Sequence, residues 1–93
     1  MINTFTLGAR EYRVEYVDHD NENLGTTYAP LDKVEIQKVW RGKELSEVSI
    51  DQTLTHEVIH CILDDLGYYE QSKDETFVQS FSLLMHQYIN TRK

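Results

Sequence analysis

Two histidines four residues apart, with a glutamate beside the first, stand in the run Thr55-His56-Glu57-Val58-Ile59-His60. On an α-helix, residues i and i+4 project from one face about one turn apart, so His56 and His60 can offer their imidazoles to a single metal ion. Glu57 projects slightly to one side, where its carboxylate can hold a water beside that ion and take its proton. The chemistry is hydrolytic, with Zn2+ as Lewis acid and Glu57 as general base. By ordinary residue frequencies the pattern arises by accident in on the order of one in a few hundred chains this short. The competing reading is a pair of surface histidines on an amphipathic helix.

A catalytic zinc takes three protein ligands and keeps one position open, so one ligand must come from elsewhere. Asp74 and Glu75 are the nearest carboxylates in the next helical stretch, fourteen and fifteen positions after His60. Glu75 lies about 110° round its helix from the centre of the apolar stripe, the offset and rotational sense that His56 and His60 have on theirs, whereas Asp74 lies close to the stripe centre. Two antiparallel helices packed on one sheet would therefore share a single-ion site of His56, His60 and Glu75. Asp74 stays as the substitute ligand or a helix cap, and Glu75 has a rival role in a capping box with Ser72.

Other chemistry-bearing residues have simpler expectations. His86 shares the Glu75 side of its helix but stands about 16 Å along it, too far for the same ion, and reads as a surface histidine. His19 with Asp18 and Asp20 could form a separate metal site, although a solvated turn explains them as well. Cys61 projects about 100° from His60 and reads as a small packing residue. Asp64, one turn after His60, could orient a ligand histidine. Tyr28, Tyr68, Tyr69 and His86 are possible oxyanion donors, with none singled out.

The elements that must position these groups follow from periodicity. Thr4 to Leu7 and Tyr12 to Val17 alternate as strands joined across Gly8 to Glu11, a hairpin. Asp18 to Asn23 reads as a polar loop, Leu24 to Tyr28 as a short strand, and Lys33 to Val39 as a strand near the sheet edge with Val34 and Ile36 on its buried face. Arg41-Gly42-Lys43 breaks the pattern. Ser49 or Asp51 can cap a helix to about Leu66, stopped by Gly67, with Val58, Ile59, Ile62, Leu63 and Leu66 as an apolar stripe expected to pack on the sheet. Tyr68 to Lys73 reads as a turn, and Phe77, Val78, Phe81, Leu84, Met85, Tyr88 and Ile89 define a second amphipathic helix. Strands followed by helices predict an α+β fold: an antiparallel sheet of three to four strands, then two antiparallel helices.

Composition narrows the setting. With 93 residues, 40% of them hydrophobic, the chain fits one domain whose modest core a bound metal would supplement. A single cysteine rules out an intrachain disulfide and points to a reducing cytoplasm. No leader or long apolar run stands out, so a membrane is not expected. A net charge of −7, with Lys and Arg scattered, disfavours nucleic acid as a partner.

The block Thr53 to Leu63, followed by Asp74-Glu75-Thr76-Phe77-Val78, resembles gluzincin-type metallopeptidases. Within that group it looks most like the minimal zincin-like proteins of phages and prophages, distantly similar to the ImmA/IrrE peptidases. A third histidine at metzincin spacing is absent, since that position is Leu66. The resemblance covers the C-terminal half well and the strands in outline. It implies two histidines and a downstream glutamate on zinc, a catalytic glutamate, and an endopeptidase whose peptide or protein substrate lies along an edge strand, here Lys33 to Val39. The rival expectations are a zinc-stabilised binding or regulatory module, and a metal-free interaction domain.

Overall fold

Alternating aromatic and β-branched residues draw the N-terminal part of the chain into strands, and the computed structural model describes residues 1–18 and 23–93. Strands β1 (Thr4–Leu7) and β2 (Arg10–Val17) form a hairpin in which Leu7 pairs with Arg10, so the turn is only Gly8-Ala9. Gly8 takes φ +59°, the left-handed conformation such a turn requires and glycine adopts without strain. Strand β3 (Gly25–Tyr28) runs into a 3-10 turn at Ala29–Leu31, and β4 (Lys33–Gln37) follows. His19 and Asp20, the candidate second metal site beside Asp18, lie outside the described residues.

The four strands lie in the order β1-β2-β4-β3, with β4 parallel to β2 and antiparallel to β3. The sheet is thus mixed, where an antiparallel one was expected. Lys33 to Val39 also corrects its expected place: β4 is central, and β1 and β3 are the edges. The reason is burial. Val34 and Ile36 are completely buried, so the most apolar alternating strand takes the slot with neighbours on both sides. Asp32, at φ +48°, swings the chain back so that β4 enters between β2 and β3. After a break at Lys38 the chain makes a small separate hairpin, β5 (Val39–Trp40) and β6 (Lys43–Glu44), through Arg41 and Gly42, both at positive φ.

Helix α1 (Glu47–Leu66) lies across one sheet face. Its cap is Ser46, whose Oγ accepts from the Ser49 amide at 3.2 Å; Ser49 and Asp51, the expected caps, lie inside the helix. Gly67, at φ +82°, ends it as expected. The core between sheet and helix is Tyr12, Val14, Val34, Ile36, Ile50, Leu54 and Cys61. The opposite sheet face carries Arg13, Glu15, Lys33 and Glu35, linked by ion pairs of 3.2 to 3.7 Å.

The stretch expected as a turn contains a short helix, α2 (Tyr69–Lys73), so the described residues form three α-helices. Helix α3 (Glu75–Thr91) runs antiparallel to α1, with His56 meeting Gln79 and Asp51 meeting His86. It packs on α1 and α2 instead of directly on the sheet, as a third layer. Its cap is Asp74, whose Oδ1 accepts from the Phe77 amide at 3.1 Å, which replaces the expected Ser72–Glu75 capping box. The fold is α+β, and among the described residues no helix is long and apolar enough to cross a membrane.

Candidate metal centre

Helix α1 brings His56 and His60 to one side, with their rings edge to face at 4.9 Å between centroids and their Nε2 atoms 3.2 Å apart. Glu57 stands between them and the sheet, and His56, Glu57 and His60 form a group that could hold a metal ion. The first turn of α3 adds Glu75. Its Oε2 lies 3.2 Å from His56 Nε2 and its Oε1 lies 3.1 Å from His60 Nε2. Antiparallel packing thus brings together all four residues singled out from the sequence.

The outer nitrogens are also held. His56 Nδ1 lies 2.8 Å from Gln79 Oε1, and His60 Nδ1 lies 3.0 Å from Ser72 Oγ. An amide oxygen only accepts, so His56 Nδ1 is an N–H donor, which in the neutral tautomer leaves the lone pair on Nε2. His60 can donate to Ser72 in the same way. With both rings in that tautomer, two lone pairs and a carboxylate converge, an arrangement of acceptors that repel unless a proton or a metal cation lies among them. Ligand atoms at about 2.0–2.1 Å from a tetrahedral zinc lie about 3.3 Å from one another, close to the 3.2 Å between the two Nε2 atoms and to the 3.2 and 3.1 Å from each to its own oxygen of Glu75. The donor set fits the ion.

Glu57 is buried, and Thr27 of the edge strand donates to its Oε1 at 2.7 Å. Desolvation raises its pKa above the ordinary carboxylate value; the Thr27 hydrogen bond and the two histidines pull the other way. A carboxylate made more basic yet tethered is suited to taking a proton. Strand β3 can approach this closely because of Gly25: a Cβ there would lie 2.9 Å from Glu57 Cγ and from Thr53 Cγ2. A cleft of about 290 Å3 bordered by Leu24, Leu45, Thr53 and Gln79 opens on one side of Glu57. On the other side a more polar cleft of about 490 Å3 runs past Thr26, His60, Asp64 and Glu75.

The remaining candidates fall elsewhere. Asp74 is the α3 cap. Asp64 lines the polar cleft, but Ser72 is the residue that bonds the His60 ring. His86, expected at the surface, is mostly buried and bonds Asp51 Oδ2 at 3.0 Å. Cys61 is buried in the core, and burial pushes its thiol up to about 12, so it stays protonated and serves as packing. Sequence reasoning missed Thr27, Ser72 and Gln79. Only Gln79 left a signal, one helical turn after Glu75 on the same azimuth. Set against protein-family models, curated proteins and solved structures, the chain matches none of them.

Proposed function

We propose that the chain is a minimal zincin-like, zinc-dependent metallopeptidase in which His56, His60 and Glu75 hold one Zn2+ and Glu57 is the general base. The observation that carries this reading is the convergence of two imidazole Nε2 atoms, 3.2 Å apart, on the two oxygens of the Glu75 carboxylate at 3.2 and 3.1 Å, beside the buried carboxylate of Glu57. A zinc ion supplies Lewis acidity there, making water nucleophilic at neutral pH and polarising a carbonyl. The chain's own residues do the rest. Gln79 and Ser72 hold the imidazoles with Nε2 inward. Glu57, steadied by Thr27, takes the water's proton and hands it to the leaving amine as the peptide bond breaks.

A peptide or protein substrate would lie along β3, the strand beside Glu57 that has a neighbour on one side only. The two flanking clefts would receive its side chains. The single buried thiol suits a cytoplasmic setting, and the phage or prophage context belongs to the same resemblance.

The second reading, a zinc-stabilised binding or regulatory module, is favoured by the state of the candidate oxyanion donors. His86 is engaged by Asp51, the Tyr28 ring lies 4.9 Å from the Lys33 ammonium, and Tyr68 and Tyr69 are exposed. Zinc analysis of the purified protein, paired with peptide-library cleavage by wild type and Glu57→Gln, separates the readings. The peptidase reading expects one zinc per chain and cleavage that Glu57→Gln abolishes. Zinc without cleavage leaves the module, cleavage unaffected by Glu57→Gln sinks the mechanism, and absence of zinc sinks both.

A further inference from the structure

From Thr76 to Thr91, sixteen consecutive residues of α3 include no Asp, Glu, Lys or Arg, in a chain where such residues make up 27%. Helix α1, also partly in water, carries Glu47, Asp51, Glu57, Asp64 and Asp65. One face of α3, marked by Val78 and Ser82, is buried against its neighbours. A second stripe lies about 110° round the helix, where Phe77, Phe81, Leu84 and Tyr88 recur at spacings of four, three and four. These side chains are 40, 44, 68 and 61% exposed. Beside them an apolar groove of about 540 Å3 runs between α1 and α3, bordered by Leu54, Val58 and Ile62 on one side and Phe81, Met85 and Ile89 on the other.

Depletion of charge together with enrichment in aromatic residues marks the core of a protein interface, not an ordinary solvated face. We propose that this stripe is a homodimer interface, in which α3 of a second copy packs antiparallel across a two-fold axis and each ridge of Leu84 and Tyr88 enters the groove of the other copy. In that register Phe77 faces Tyr88 of the second copy, and Phe81 faces its Leu84.

Charge selects the occupant and its direction. The segment before the stripe holds Glu70, Lys73, Asp74 and Glu75, three acids and one base for a net −2, whereas Arg92 and Lys93 after it give +2. Antiparallel pairing sets each acidic end against a basic one and opposes the helix dipoles favourably. The four stripe side chains offer on the order of 400 Å2 of surface per copy, and the groove rim with flanking polar atoms extends this toward the ~800 Å2 each partner buries in a standard interface. A small apolar molecule would fill the groove but leave Leu84 and Tyr88 in water. A net charge of −7 opposes docking on an anionic bilayer. Glu75 and Gln79 lie roughly 170° from the stripe, so the metal centre stays open in the dimer.

Sedimentation of the full chain over a range of concentrations tests this. The expected species is 22 kDa, twice the 11.0 kDa of one chain. Leu84→Glu and Tyr88→Glu should each raise the dimer dissociation constant at least about tenfold with an unchanged circular dichroism spectrum, because both side chains already meet water. If either variant loses its fold, Tyr88→Ser repeats the test with a smaller change. Reversing Arg92 and Lys93 to Glu should weaken the dimer at low salt. A single 11.0 kDa species at every concentration overturns the proposal, as does a dimer indifferent to both stripe variants. Indifference to the charge reversal overturns the antiparallel arrangement, and a monomer that floats with phosphatidylcholine vesicles assigns the stripe to lipid instead.

Discussion

At the scale of single residues, the proposed centre makes unlike demands on its two glutamates, and substitution should separate them. Glu57→Gln keeps the shape of the side chain but removes its basicity, so zinc content should stay at one per chain while cleavage falls by about 10²–10⁴-fold, the usual contribution of a general base. Glu75→Ala removes a donor that spans both imidazoles, and zinc affinity measured by competition with a chelator should drop sharply. If Glu75→Ala holds zinc as tightly as wild type, the third ligand is another group. Asp74→Ala should leave zinc in place and instead cost about 1 kcal/mol in chemical denaturation, as loss of a helix cap does. Gln79→Leu and Ser72→Ala remove the bonds that orient the imidazoles, and each should weaken zinc binding by about 10–100-fold.

At the scale of elements, the centre depends on how closely β3 approaches α1. Gly25 permits the approach, because a Cβ there would meet Glu57 Cγ and Thr53 Cγ2 at 2.9 Å. Gly25→Ala must displace the Glu57 and Thr53 side chains or the strand that faces them, and overpacking of this kind costs about 1–3 kcal/mol. The same displacement lengthens the 2.7 Å bond from Thr27 to Glu57. Cleavage should therefore fall while zinc, held by α1 and α3, remains bound; unchanged cleavage would argue against Thr27 as the tether of the base. Helix α1 itself begins where Ser46 meets the Ser49 amide, and Ser46→Ala should lower stability by about 1 kcal/mol without touching zinc affinity.

At the scale of the whole molecule, three layers held by a small core gain from any ligand that binds only the folded state. With free zinc at about a hundred times its dissociation constant, the metal would add about 2.7 kcal/mol, so chelation should lower Tm by roughly 10–20 °C. A Tm indifferent to chelator would mean that no structural metal is bound. The core also sets an alkaline limit. Burial raises the Tyr12 phenol from 10.0 to about 12, so it is neutral in both states below pH 10, and above that the unfolded chain ionises first. Its stabilising contribution is thus present below pH 10 and lost as pH rises through about 12. Tm should fall over that window, and less steeply in Tyr12→Phe.

What the sequence by itself determined is local: the spacing of His56, Glu57 and His60, the helical period of α1 and α3, the glycine that ends α1, and the azimuth that puts Glu75 and not Asp74 beside the histidines. These depend on neighbours within a turn or two, where backbone geometry ties position to direction. The face of α1 that meets the sheet was not determined in this way, since Ile50, Leu54 and Cys61 lie there, Val58, Ile62 and Leu63 border the groove toward α3, and Leu66 is exposed. Only the tertiary structure decided that β4 enters between β2 and β3, that α3 lies on α1 and not on the sheet, and that Thr27 and Ser72 reach the centre. Strand order turns on which strand buries most surface, and a hydrogen bond between residues 27 and 57 has no imprint on local pattern. The uncharged stripe of α3 belongs to both: its spacing is in the chain, but its exposure comes from the layer in which the fold places it.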